Sequence, residues 1–150
     1  RAQGVTEPSV TQDFYNLFNP RAETHLLPFC HASDFGFVGY SPLARGVLTG
    51  KYSHGIPRDS RAADDVLVKT LFDLETRKLD AVEQLQELAH SWNMTAAQAA
   101  LATTLARPGY TSAIIGARTP EQLKENLRGA RLKLSATQQA AVRAIFAPLI

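Results

Sequence analysis

With 150 residues, 45% of them hydrophobic, the chain is long enough for one globular domain with an apolar core and too short for two complete ones. Sixteen basic and fourteen acidic side chains leave a formal charge of +2 spread along the sequence, so composition names no polyanionic partner, and no apolar run approaches the roughly 18 residues of a membrane span. The single cysteine, Cys30, has no disulfide partner and no companion at metal-ligand spacing, which points to a reducing compartment and makes the cytoplasm the expected location. The N-terminus lacks a signal-peptide h-region, and Arg1 in place of Met reads as a chain that was processed, trimmed or recorded incompletely.

In chain order, Pro8 to Phe14 predicts a short strand around Val10 and Thr11, running into a loop from Tyr15 to Pro20. Ala22 to Ala32 carries Leu26, Leu27, Phe29 and Cys30 near helical spacing, with Pro28 expected to interrupt or bend the helix. The aromatic and β-branched run Phe35 to Tyr40 predicts a second strand, ending at Ser41-Pro42. Gly46 to Asp65 reads as a long loop, which in a compact domain is more often functional than idle. Leu71 to Trp92 predicts an amphipathic helix, and Thr95-Ala96-Ala97-Gln98 is a capping box that opens an alanine-rich helix stopping near Pro108. A short buried strand, Ser112 to Ile115, then precedes helices capped at Thr119 and Ser135.

This order predicts an α/β fold with a parallel sheet and helical crossovers. Three parallel strands alone leave two unpaired edges and uncovered apolar faces, whereas a (β/α)8 TIM barrel of about 250 residues closes the sheet on itself. The chain therefore reads as about three of eight barrel units with extra helices.

Ligands of such barrels sit past the C-terminal ends of the strands. Three clusters fall there: Gln12 with Tyr15-Asn16, the run Tyr40 to Gly46, and Gly116-Ala117-Arg118-Thr119 leading into Gln122, Glu125 and Asn126. In the third, a glycine permits close backbone approach, the helix start offers N–H groups to a phosphate, and Arg118 adds a cationic fork. Gln122, Glu125 and Asn126 share one helix face and suit a ribose or adenine. A capping box at Thr119 and Gln122 with an otherwise solvated face accounts for the same residues. In the second cluster, Tyr40 suits a flat heteroaromatic ligand and Ser41 with the following backbone donors suits a phosphate; a core tyrosine followed by a turn is the alternative.

Other chemistries find less support. Gly46-Val47-Leu48-Thr49-Gly50-Lys51-Tyr52 is one residue short of a P-loop and has Tyr where Ser or Thr must bind magnesium, and the G-x-G-x-x-G dinucleotide fingerprint is absent. His25, His31, His54 and His90 share no metal or catalytic spacing, and Asp64-Asp65 reads as a solvated pair, so no metal is expected. Lys124, Arg128, Arg131 and Lys133 lack interleaved aromatics, so no nucleic-acid partner is expected, and no membrane association either.

The runs Tyr40 to Tyr52 and Ile114 to Leu127, together with Gln12 through Leu17, closely resemble the aldo-keto reductase family, over nearly the whole chain and in the right order. The flavour is that of bacterial general-stress and sugar-related reductases, to which potassium-channel β subunits are also similar. The resemblance implies a (β/α)8 barrel that binds NADP(H) and reduces small aldehydes or ketones without a metal. By position it implies that Gln12 binds the nicotinamide carboxamide and Tyr40 stacks on the nicotinamide. It implies further that Ser41, Leu43, Ala44 and Arg45 hold the pyrophosphate, with Lys51 and Arg61 reaching from the long loop, and that Gly116, Arg118, Gln122, Glu125 and Asn126 hold the adenosine end. Gln122 stands where much of the family has an arginine on the 2′-phosphate, which leaves NAD(H) open beside NADP(H), with Arg118 as a compensating cation. The family's Asp, Tyr, Lys and His tetrad precedes everything in this sequence, and Tyr15, Tyr40, Tyr52 and Tyr110 do not sit in its motif. Residues 1–150 are thus expected to be the C-terminal portion of one barrel domain, inactive alone and completed by an N-terminal half. A non-catalytic nucleotide-binding or interaction module, and an inactive truncated remnant, are the alternatives.

Overall fold

The computed structural model describes residues 8–58, 63 and 76–150. Strands β1 (Val10–Phe14), β2 (Gly36–Tyr40) and β3 (Ser112–Ile114) form one parallel sheet in the order β1-β2-β3. Gln12 lies opposite Val38, Phe14 opposite Tyr40, and Tyr40 opposite Ile114. Around the sheet run helices α1 (Leu26–Ala32), α2 (Thr76–Ser91), α3 (Ala96–Leu105), α4 (Pro120–Arg131) and α5 (Ala136–Phe146). Short 3-10 turns cover Arg21–Glu23, Ala44–Thr49 and Ala147–Leu149. Parallel strands joined through helices make a partial (β/α) barrel, as the element order predicts.

Side chains of a strand alternate between faces, and the two faces of this sheet differ. On one, Phe37 is fully buried against Tyr15, Leu27, Cys30 and Tyr110. Gly39 completes that face: a Cβ there would run into the ring of Tyr110, so the strand needs glycine where the tyrosine crosses it. On the other face Val10, Tyr40 and Ile114 remain 53%, 39% and 49% exposed.

The larger core surrounds α3. Its Ala96, Ala97, Ala99, Ala100, Leu101 and Ala102 are all buried, so the helix is apolar nearly all round, the pattern of a helix enclosed by others. Val47 and Leu48, Val82 and Leu85 of α2, and Val142 and Phe146 of α5 belong to the same core. Small side chains let α4 approach α3 closely; a Cβ on Gly129 would press on the Gln98 backbone.

Three expectations need correction: the strand expected to be buried from Ser112 to Ile115 spans Ser112–Ile114, with Ser112 and Ile114 exposed and Ala113 half-buried. The helix expected from Ala22 begins at Leu26, with Ala22 in a separate 3-10 turn. Pro28 does not break it, because it sits in the first turn, where the missing N–H would have had no partner within the helix. The first residues of the helix expected from Leu71, and most of the second half of the long loop, lie outside the described residues.

Candidate functional site

Past the end of β2 the chain turns sharply. Ser41, Ala44 and Arg45 have φ of 56°, 50° and 54°, and Gly46 and Gly50 have 98° and 81°. Left-handed backbone is costly outside glycine and persists only where surroundings enforce it. Here they do. The Ser41 carbonyl accepts from Ala44 N at 3.0 Å and from the side-chain amide of Asn16 at 3.1 Å. Asn16 is fully buried, and its Oδ1 accepts from Phe18 N at 3.0 Å, so the end of β1 clamps the end of β2. Ala44, Val47 and Leu48 are sunk in the core, while Arg45 stays half-buried and Lys51 exposed. The end of Lys51 lies against Gly46, where a Cβ would collide with it, and its Nζ is 4.9 Å from the Tyr52 ring centre.

Past β3 the chain reaches α4 through Gly116-Ala117-Arg118. Thr119 caps the helix, accepting from Gln122 N at 3.3 Å. The return leg of a capping box is missing: Gln122 Oε1 instead accepts from Arg118 N at 2.8 Å and so fixes the loop before the helix. Thr95 and Ser135 make the full reciprocal boxes that their sequences predict. Pro120 has no N–H, Gln122 N is taken by Thr119 Oγ1, and Leu123 N bonds Thr119 O at 3.2 Å. The helix start therefore has fewer backbone donors for an anion than its sequence suggests, and side chains must supply the positive charge.

The two loops face each other across a cleft of about 620 Å3. Ten of the thirteen residues singled out from the sequence line it. Tyr40, Ser41, Leu43, Arg45 and Lys51 come from the β2 side, and Gly116, Arg118, Gln122, Glu125 and Asn126 from the β3 side. Three do not. Ala44 is buried beneath the loop, Gln12 lies on β1 away from the cleft lining, and Arg61 falls outside the described residues. Thr49, Ala97, Ile114 and Ile115 also line the cleft and were not singled out. Ala97 reaches it only because α3 packs against α4, a tertiary fact with no local signal. Among the described residues the lining carries three cations, Arg45, Lys51 and Arg118, against one carboxylate, Glu125, a balance that favours anions. Tyr40 offers an exposed ring at the cleft, which fits a flat ligand better than a core tyrosine does.

Of the four tyrosines, only Tyr40 lines the cleft. Tyr52 is buried in the larger core, and Tyr15 and Tyr110 lie in the smaller one. Burial pushes both of the latter phenols well above the ordinary tyrosine range; at Tyr15 the hydrogen bond it donates to Glu23, at 2.5 Å, adds to the shift. Glu23 also receives Arg107 at 2.6 Å and Arg143 at 3.0 Å, a junction the sequence did not reveal. Among the described residues, no group of three or more His, Cys, Asp or Glu side chains could hold a metal ion, and no helix is long and apolar enough to cross a membrane.

The family model described as the aldo/keto reductase family matches residues 1–147. The chain belongs to the aldo/keto reductase family. It is 39% identical over 127 residues to an Arabidopsis thaliana protein named "Probable voltage-gated potassium channel subunit beta", covering 81% of this chain and 38% of that protein. It is 35% identical over 136 residues to L-glyceraldehyde 3-phosphate reductase of Escherichia coli K12, covering 88% of this chain and 39% of that enzyme. Among solved structures, the glycerol dehydrogenase of Gluconobacter oxydans superposes with a TM-score of 0.73 at 26% identity, over 94% of this chain and 43% of its own. The chain thus spans about two-fifths of the length of these relatives.

Proposed function

We propose that this chain forms the cofactor-binding side of an NADP(H)-dependent aldo/keto reductase acting on small aldehydes or ketones. In this reading residues 1–150 are the C-terminal portion of a single barrel domain, and the Asp, Tyr, Lys and His tetrad comes from sequence outside them. The observation that carries the proposal is the cleft itself: two motifs distant in sequence meet across it with three cations and one exposed aromatic ring. Arg45 and Lys51 neutralise a diphosphate, Tyr40 stacks on the nicotinamide, and Gln122, Glu125 and Asn126 receive the adenosine end. Arg118 beside the neutral Gln122 supplies positive charge for a 2′-phosphate, and NAD(H) is the competing cofactor. When bound, the cofactor supplies the hydride. The chain's own residues hold and orient it, and none of its cleft residues stands in the role of proton donor, so the 150 residues alone are expected to show no turnover.

The test is titration with NADPH and NADH, followed by nicotinamide fluorescence. Saturable binding that Lys51→Ala weakens roughly three- to tenfold is expected, the size of losing one charged contact at an open site. Absence of binding by the intact protein overturns the proposal. A second reading, a nucleotide-binding interaction module without turnover, draws on the similarity to the channel subunit. Reduction of an aldehyde by the intact protein with NADPH rules against it, and nucleotide binding without reduction favours it.

A further inference from the structure

Thr95 lies outside both cleft motifs, yet its hydroxyl has two jobs. It accepts from Gln98 N at 3.2 Å, which caps α3, and it donates to Glu125 Oε1 at 2.6 Å across the α3–α4 interface. One hydroxyl thus satisfies a helix terminus with its lone pair and holds a cleft carboxylate with its proton. Gln98 Oε1 completes the box by accepting from Thr95 N at 3.2 Å, which fixes the threonine backbone. Ser135 and Gln138 build the same box at the start of α5, with no cleft residue attached, so the link to Glu125 is not a general property of the motif.

We propose that Thr95 is a positioning residue for the adenosine end of the nucleotide cleft: by holding one oxygen of Glu125 it fixes the carboxylate so that the other faces the ligand. This rests on the nucleotide reading given above. An untethered glutamate on a helix must lose side-chain rotamer freedom when it engages a ligand, whereas a tethered one has already lost it in building the fold. Helix capping alone does not require threonine, because glycine serves nearly as well at that position. The hydroxyl proton is what the tether needs.

The inference is tested in the intact protein with two probes, 2′,5′-ADP for the adenosine end and nicotinamide mononucleotide for the other, beside NADPH. Thr95→Gly keeps a competent cap and loses the donor. It is expected to weaken 2′,5′-ADP and NADPH binding about fivefold, the scale of ordering one untethered side chain on binding, and to leave nicotinamide mononucleotide unchanged. Thr95→Ser restores binding, and Ser135→Gly, which disrupts the matching box away from the cleft, changes nothing. In a Glu125→Gln background the loss caused by Thr95→Gly shrinks, as coupled residues require. Should Thr95→Gly fold poorly, Thr95→Asp retains a capping oxygen without a proton to donate and is tested with uncharged adenosine, which the added charge does not repel; its binding is expected to weaken about fivefold, and unchanged binding overturns the inference. Equal affinities for 2′,5′-ADP in wild type and Thr95→Gly, or losses that add fully with Glu125→Gln, overturn the inference alone. Failure of the wild type to bind either NADPH or 2′,5′-ADP overturns the nucleotide reading as well.

Discussion

Phe37 and Tyr40 stand three residues apart on the same strand, yet Phe37 has no exposed surface and Tyr40 keeps 39% of its own. The difference lies in what each sheet face meets. The face of Phe37 and Gly39 is closed by Tyr15, Leu27, Cys30 and Tyr110, whereas that of Val10, Tyr40 and Ile114 is left open by the described residues. The first face holds the fold together, and the second contributes Tyr40 and Ile114 to the cleft. A strand of alternating side chains lets five residues serve both ends at once.

The contrast can be broken first at Phe37. Phe37→Ala removes a fully buried ring packed against Tyr15 and Tyr110, and is expected to destabilise the chain by about 3–5 kcal/mol in urea unfolding. Gly39→Ala forces a methyl group against the Tyr110 ring on the same face and should cost about 1–3 kcal/mol, read as a lower urea midpoint at unchanged slope. Tyr15→Phe deletes the hydrogen bond to Glu23 and should cost about 1 kcal/mol at neutral pH. Because burial raises the folded-state pKa of Tyr15 above the ordinary tyrosine value of 10.0, its contribution is complete below pH 10 and is lost as pH rises beyond it. Urea midpoints between pH 8 and 12 should therefore fall at the alkaline end, and fall less in Tyr15→Phe, where Tyr110 remains. On the open face, Val10→Thr should change the stability of the 150-residue chain by less than about 0.5 kcal/mol, since Val10 is 53% exposed.

What the sequence announced and what it hid divide along the range of the interaction. The boxes at Thr95 and Ser135 were legible because a capping residue and its partner lie three positions apart and satisfy each other locally. The two cleft motifs were legible as strand ends followed by turn chemistry, and the parallel sheet as alternating strands and helices. At Thr119 the same local pattern gave only half the answer, because Gln122 had a second acceptor use one residue upstream, at Arg118 N. The sequence sets Asn16 beside Gln12 without disclosing its task, since the carbonyl it holds is at Ser41, 25 positions on. Gln12, expected at the nicotinamide, stands on β1 and is not among the residues lining the cleft. Ala44 belongs by sequence to the motif and by structure to its foundation, because a small side chain suits either place.

The junction at Glu23 joins residues 84 and 120 positions apart, through Arg107 and Arg143. Closing loops of that length costs chain entropy before any contact returns it, so the junction belongs late in folding, after helices and neighbouring strands have formed. Interactions absent from the transition state govern how slowly a fold comes apart more than how fast it assembles. The carboxylate of Glu23 is therefore expected to act as a kinetic clasp: Glu23→Gln should speed unfolding more than it slows folding, read from the two arms of a urea chevron.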